Sequence, residues 1–166
     1  MLTVKNATTS LRAMNDQPPA ETMGLPGLLR AARGAYGQAV RKAFADAGFE
    51  DIPRNGAFVL ARAYDNSAQL ARLTRELGIS KQAVSQLIDT LVMRGYLERV
   101  VDAEDRRRMV LTLTPRGEAA AEVSWRAASA VDEELASRLP AGGVAALRTG
   151  LAVLAEIGMR ADAAEH

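Results

Sequence analysis

The chain has 166 residues, 48% hydrophobic and 25% charged, with a formal net charge of +1, no cysteine, and one histidine, the terminal His166. That length supports one domain with a buried core, or one domain with a helical extension. The lack of cysteine excludes disulfides, thiolate metal sites, cysteine nucleophiles and thiol redox switches, and a single terminal histidine argues against imidazole metal centres.

No apolar run approaches the length of a membrane span, and the N-terminus lacks a basic stretch followed by an apolar core and a cleavage site, so a soluble cytoplasmic protein is expected. The net charge becomes informative when divided. Residues 1–71 carry 8 basic and 6 acidic groups, residues 72–116 carry 9 and 6, and residues 117–166 carry 4 and 8, for balances of +2, +3 and −4. A polyanion is therefore expected to meet the middle of the chain, although chance variation in solvated charge also gives differences of this size.

Residues 1–22 are polar, contain Pro18-Pro19 and have little apolar period, which predicts a flexible arm. From Leu25 to Phe49, the residues Leu28, Leu29, Ala32, Tyr36, Val40, Ala43 and Phe44 recur at helical spacing, which predicts a long helix opening near Pro26. Gly34 and Gly37 are costly inside a helix, by about 1 kcal/mol each relative to alanine, and suggest a tight helix crossing. The stretch Gly48 to Pro53 reads as a loop, with Pro53 opening a second helix whose buried side is Phe58, Val59, Leu60 and Ala63 and which Asp65-Asn66-Ser67 closes.

Leu70 to Tyr96 splits at Leu77-Gly78-Ile79-Ser80 into two amphipathic pieces. Leu70, Leu73 and Leu77 share one face of the first, and Val84, Leu87, Ile88 and Leu91 share one face of the second. Gly78 suits a left-handed helix end, and Ser80 suits the cap of a new helix. The pattern is that of a helix-turn-helix, with one departure at Thr74, where such units usually carry alanine. An ordinary helical hairpin of an all-α protein has the same apolar spacing.

After Gly95 the period changes. Tyr96–Val101 and Met109–Thr114 are rich in β-branched and apolar residues and predict two strands, joined by the charged loop Asp102-Ala103-Glu104-Asp105-Arg106-Arg107-Arg108. Two strands directly after a helix-turn-helix form a wing. Its consecutive arginines suit phosphate or minor-groove contact, and they also suit a solvated hairpin end. Thr114-Pro115 reads as a cap with proline at the first helical position; the helix carries Ala120, Val123, Ala127, Ala130, Val131, Leu135 and Leu139 and stops at Pro140. A last helix after Gly142-Gly143 has the stripe Val144, Leu147, Leu151, Leu154 and Ile157. These two helices have more apolar face than a small winged core covers, so with the first helix they form an expected dimer interface; packing within the chain is the competing account.

The order of elements over about residues 25–160, and above all Leu73–Gly117, resembles the MarR family of bacterial winged-helix regulators. The most specific part is the wing, where Asp102, Asp105, Arg106 and Arg107 precede Leu111-Thr112-Leu113-Thr114-Pro115-Arg116-Gly117. The expected fold is mainly α with a small two-stranded β-wing, a winged helix-turn-helix core plus N- and C-terminal dimerisation helices. Its divisions are a flexible arm at 1–22, a dimerisation helix at 23–50, the winged DNA-binding lobe at 51–116 and C-terminal dimerisation helices at 117–166.

The resemblance implies a homodimer that binds a pseudo-palindromic operator in double-stranded DNA, most often as a repressor, and that is released by a small aromatic or phenolic ligand. On the second helix the face opposite the apolar stripe is Gln82, Gln86, Asp89 and Met93, flanked by Ser85. Gln82 and Gln86 have the reach and bidentate amide to read adenine, while Ser80, Lys81 and Ser85 suit phosphates at the helix N-terminus. Asp89 would repel phosphate and is expected in an ion pair with Arg94 or Arg99. By position in the family's wing, Arg107 is implied to enter the minor groove, with Arg106 near the backbone and Asp105 orienting an arginine. Thr90 and Arg99 complete the candidate DNA-contacting set. Tyr36, Arg54, Asn55 and Tyr64 fall near the cleft where such ligands bind, but each equally suits a core or solvated position, and none is assigned.

Two other classes compete. A winged helix serving only as a protein-interaction module would need apolar residues on the outer face of the second helix, and here that face is mostly polar. An enzyme would need a metal-ligand cluster, a nucleophile with a histidine base or a phosphate-binding glycine loop, and the sequence has none; Asp51 and Asp65 read as surface carboxylates. No cofactor is expected.

Overall fold

The computed structural model describes residues 22–65, 68–102 and 109–164. Among them are six helices and two strands: α1 (Leu25–Asp46), α2 (Gly56–Tyr64), α3 (Leu70–Leu77), α4 (Lys81–Met93), β1 (Leu97–Val101), β2 (Met109–Leu113), α5 (Pro115–Arg138) and α6 (Gly143–Ala164). The fold is thus mainly helical with a two-stranded antiparallel sheet, as expected. The arm, except Thr22, lies outside the described residues, as do Asn66 and Ser67. The chain packs as two units, one ending at Ala35 and the other beginning at Tyr36, with the boundary inside α1.

The core lies in the second unit. Phe44, Val59, Leu60, Ala63, Leu73, Val84, Leu87, Ile88, Leu91, Tyr96, Leu97, Ala120 and Ala121 are buried together. They come from every element from α1 to α5 except β2, which lends Leu111 and Leu113 at its edge. Full burial of each of the larger aliphatic side chains contributes about 1.5–3 kcal/mol. The apolar stripes of α3 and α4 are therefore what joins the two helices to α2 and to the wing.

Helix ends follow local chemistry. Gly78 ends α3 at φ 62°, and its N–H donates to the Thr74 carbonyl. Ser80 caps α4, its Oγ accepting from the Ala83 N–H at 3.2 Å. Thr114 caps α5 in the same way, accepting from the Gly117 N–H at 3.1 Å, with Pro115 at the first helical position. Thr74 is half-buried and donates its hydroxyl to the Leu70 carbonyl at 2.8 Å, so its polarity is met within its own helix.

Two expectations are corrected. Pro53 does not open α2; it stands in the preceding turn, where its carbonyl accepts from the Gly56 N–H at 2.8 Å, and Asn55 at φ 67° leads into the helix at Gly56. The left-handed backbone of Asn55 separates the Pro53 turn from the helix, and Gly56 packs closely against Ile52, which an added Cβ would approach to 2.7 Å. Nor do Gly34 and Gly37 meet another helix among the described residues: an added Cβ at Gly34 would meet nothing within 4 Å, and at Gly37 only the Arg41 guanidinium.

The closest approach in the core is at Gly117, where an added Cβ would lie 2.0 Å from the Tyr96 carbonyl oxygen and 3.1 Å from Leu113. The obstacle is backbone and cannot swing aside. Gly117→Ala should therefore destabilise the fold by about 3 kcal/mol or more, beyond ordinary overpacking, as read by chemical denaturation. A loss under 1 kcal/mol would show that wing and α5 are not packed so closely.

Candidate nucleic-acid interface

Helix α4 presents two chemically distinct faces. Val84, Leu87, Ile88 and Leu91 are buried, while Lys81, Gln82, Gln86, Asp89 and Met93 are exposed and Ser85 and Thr90 lie half-buried at the flanks. Ser80 and Lys81 stand at the N-terminal end, where unpaired N–H groups favour an anion. The structure therefore brings Ser80, Lys81, Gln82, Ser85, Gln86 and Thr90 onto one helix. Thr90 is partly committed, since its hydroxyl donates to the Gln86 carbonyl at 2.8 Å.

The wing stands beside this helix. Strands β1 and β2 pair in antiparallel register from Leu97 opposite Leu113 to Val101 opposite Met109. From β1, Arg99 reaches across to α4, where its Nη2 donates to Asp89 Oδ1 at 2.5 Å. Of the two partners expected for Asp89, Arg99 is the one observed. Arg106 and Arg107, with Asp105 and Arg108, lie outside the described residues.

The base of the wing is held by a polar node that sequence reading passed over. Tyr96 donates its hydroxyl to Asp51 Oδ1 at 2.5 Å, and Arg116 Nη2 donates to both oxygens of Asp51, at 3.0 and 3.2 Å. Arg116 also donates to the Tyr96 hydroxyl at 3.0 Å and to the Arg94 carbonyl at 3.1 Å, and lies over the Tyr96 ring, 4.4 Å from its centroid. Arg94 in turn donates to the Asp51 carbonyl. The Tyr96 ring meets Phe49 edge-on at 6.1 Å, and Phe49 meets Phe44 at 6.3 Å. The loop after α1, the end of α4, the start of β1 and the start of α5 thus meet at one residue, Asp51.

A second strut ties α2 to α3. Arg62 Nε donates to Glu76 at 2.8 Å, Arg72 Nε donates to the other Glu76 oxygen at 2.9 Å, and Arg62 lies over the Phe58 ring. Burial pushes the Glu76 carboxyl upward, but the hydrogen bonds and charges of Arg72 and Arg62 outweigh it and hold the group below its ordinary range. Asp65, in contact with Arg62 at 3.3 Å, belongs to the same cluster.

Residues 57–108 match the model of the MarR family. The matched segment, which holds the helix-turn-helix and the first strand of the wing, is similar to the MarR family. The likeness of fold to solved structures extends well beyond the matched residues. The chain is similar to CouR from Rhodococcus jostii RHA1, at 23% identity over 83% of this chain and 96% of that one, with a TM-score of 0.66. It is similar to BpsR from Bordetella bronchiseptica, at 22% identity over 84% and 98%, TM-score 0.61. It is also similar to the reduced form of MarR from E. coli, at 23% identity over 80% and 96%, TM-score 0.59. No curated relative matches the chain. No single helix among the described residues is long and apolar enough to cross a membrane.

Within the MarR-family fold, the residues near the expected ligand cleft are dispersed in role. The Tyr36 hydroxyl donates to Asp132 of α5, and that hydrogen bond, with burial, raises its pKa above the usual phenol value. Asn55 holds the left-handed turn into α2, and Arg54 and Tyr64 are exposed.

The node sets a pH dependence. The hydrogen bond from Tyr96, with the charge of Arg116 beyond it, lowers the Asp51 carboxyl below its ordinary value despite partial burial. A carboxyl with a depressed folded pKa stabilises above its unfolded value of about 3.9, and that contribution is lost as pH falls through the folded value. Asp51→Asn should cost about 1 kcal/mol at pH 7, at the low end for charge-assisted bonds because the group is partly exposed. The gap to wild type should close as pH approaches 3 in thermal melts; a gap constant from pH 7 to 3 would contradict the assignment.

Proposed function

We propose that this chain is a sequence-specific DNA-binding transcriptional regulator that reads a pseudo-palindromic operator as a homodimer, acts as a repressor and is released by a small aromatic or phenolic ligand. The observation that carries the reading is the exposed polar face of α4, with Gln82 and Gln86 standing opposite the buried Val84, Leu87, Ile88 and Leu91. Gln82 and Gln86 read base edges in the major groove, Ser80, Lys81 and Ser85 bind phosphates, and Thr90 and Arg99 flank them. Arg107 of the wing enters the minor groove, with Arg106 near the backbone.

The dimer reading draws on α6. Leu147, Leu151, Leu154 and Ile157 remain 42%, 40%, 42% and 59% exposed in the single chain, a continuous apolar stripe that a second copy would cover. Residues 23–50 and 117–166 then serve as the dimerisation helices and residues 51–116 as the reading lobe. The polar outer face of α4 disfavours the alternative of a winged helix that binds only protein.

The ligand reading has two supports. A groove of about 610 Å³ between the start of α3, α4 and the wing is lined by apolar Ile88, Met109 and Leu111 together with polar Gln69, Ser85 and Arg99. Two proteins of like fold meet aromatic ligands: CouR is bound to p-coumaroyl-CoA, and DNA binding by BpsR is regulated by 6-hydroxynicotinic acid.

Fluorescence anisotropy with duplex DNA tests the reading. Affinity should fall linearly with salt on logarithmic axes, by a slope that counts the phosphates contacted. Gln86→Ala should change base preference at one position by about 1–3 kcal/mol, whereas Arg107→Ala should weaken binding to all sequences and reduce the salt slope by about 1. Binding indifferent to salt, or an Arg106/Arg107 double alanine variant as tight as wild type, would count against DNA as the partner.

A further inference from the structure

An acidic side chain on a face that meets a polyanion needs a reason to be there. Asp89 lies on the outward side of α4, seven residues and about two turns after Gln82 and three residues after Gln86, so the three form one patch. Its side chain is exposed, and its carboxylate is bonded through one oxygen only: Arg99 Nη2 holds Oδ1 at 2.5 Å, the only partner of that carboxylate among the described residues. An exposed pair of this kind adds little to stability. It does two other things. Arg99 supplies the countercharge without which Asp89 would repel the phosphates on either side of the groove, and it engages Oδ1, which leaves Oδ2 with no partner among the described residues.

In the major groove a carboxylate discriminates sharply. Guanine offers the acceptors N7 and O6 and thymine the acceptor O4, all of which a carboxylate repels. Cytosine offers only the N4 amino donor, while adenine sets its N6 donor beside the N7 acceptor. We infer that Asp89 is a base-specificity determinant, whose Oδ2 accepts from the exocyclic amino group of a cytosine while Arg99 neutralises and orients it. The inference rests on the reading of α4 as a DNA-reading helix and names a base class for a residue that otherwise counts against binding. Asp89 and Arg99 act together: the arginine is a positioning residue, and the carboxylate reads.

Base-substitution profiling tests it. Wild-type protein first selects its duplex from a random pool, each base pair of the selected half-site is then changed in turn, and binding of wild type, Asp89→Ala and Asp89→Asn is read by anisotropy, with melts to confirm folding. Wild type should require cytosine at one position, losing about tenfold, or 1.4 kcal/mol, on replacement by thymine or guanine. Asp89→Ala should flatten that one position. Asp89→Asn should shift it toward adenine, whose N6 and N7 an amide satisfies together. If both variants rank every base at every position as wild type does, the inference is overturned and the DNA-reading role of α4 stands. If wild type selects no sequence, that role fails and the inference falls with it.

Discussion

The wing of this protein depends on one carboxylate. Asp51 lies in the loop after α1, far in sequence from the wing, yet it accepts from Tyr96 where β1 begins and from Arg116 where α5 begins. Arg94, at the end of α4, is drawn to the same loop through the Asp51 carbonyl. The Tyr96 carbonyl accepts from the Thr114 N–H at 3.1 Å and meets Gly117 so closely that no side chain fits between them. Elements that the chain order separates are thereby held at one point, and the pose of the wing relative to α4 follows from it. A wing with only two five-residue strands has little internal stability. Its position must come from such anchors.

That position matters because α4 and the wing present their polar groups together. The apolar stripe of α4 is spent in the core, which leaves the glutamines and Asp89 outward, and Arg99 bridges from the wing to Asp89. In the proposed complex, helix and wing are read as one surface, with the node behind them as a rigid support. The exposed stripe of α6 would place two such surfaces in one assembly through a second copy.

Much of this was legible in the sequence for local reasons. The helix-turn-helix announces itself through two apolar stripes of 3.6 period broken by Gly78 and capped by Ser80, and α5 through Thr114 and Pro115; all of these signals depend on neighbours within a few residues. The strands of the wing are legible from their change of period, and the Asp89 partnership from the need to compensate a charge. What was not legible is non-local. Asp51 reads as one surface carboxylate among several, because nothing nearby shows that Tyr96, 45 residues on, and Arg116, 65 residues on, converge on it. Pro53 carries the ordinary signal of a first helical position, yet it stands in a turn that ends in the left-handed Asn55, and α2 starts three residues onward at Gly56. Gly34 and Gly37 suggested a helix crossing, but no other helix meets them among the described residues.

The central claim is that α4 and the wing, doubled by a second copy, read a symmetric stretch of DNA. Selection of bound fragments from a random duplex library by the purified full-length chain tests it most directly. The account predicts enrichment of two inverted half-sites whose centres lie about one helical turn, 10–10.5 base pairs, or a multiple of that apart. Enrichment of a single unpaired half-site would contradict the symmetric dimer, and no enrichment above non-specific binding would contradict DNA reading itself.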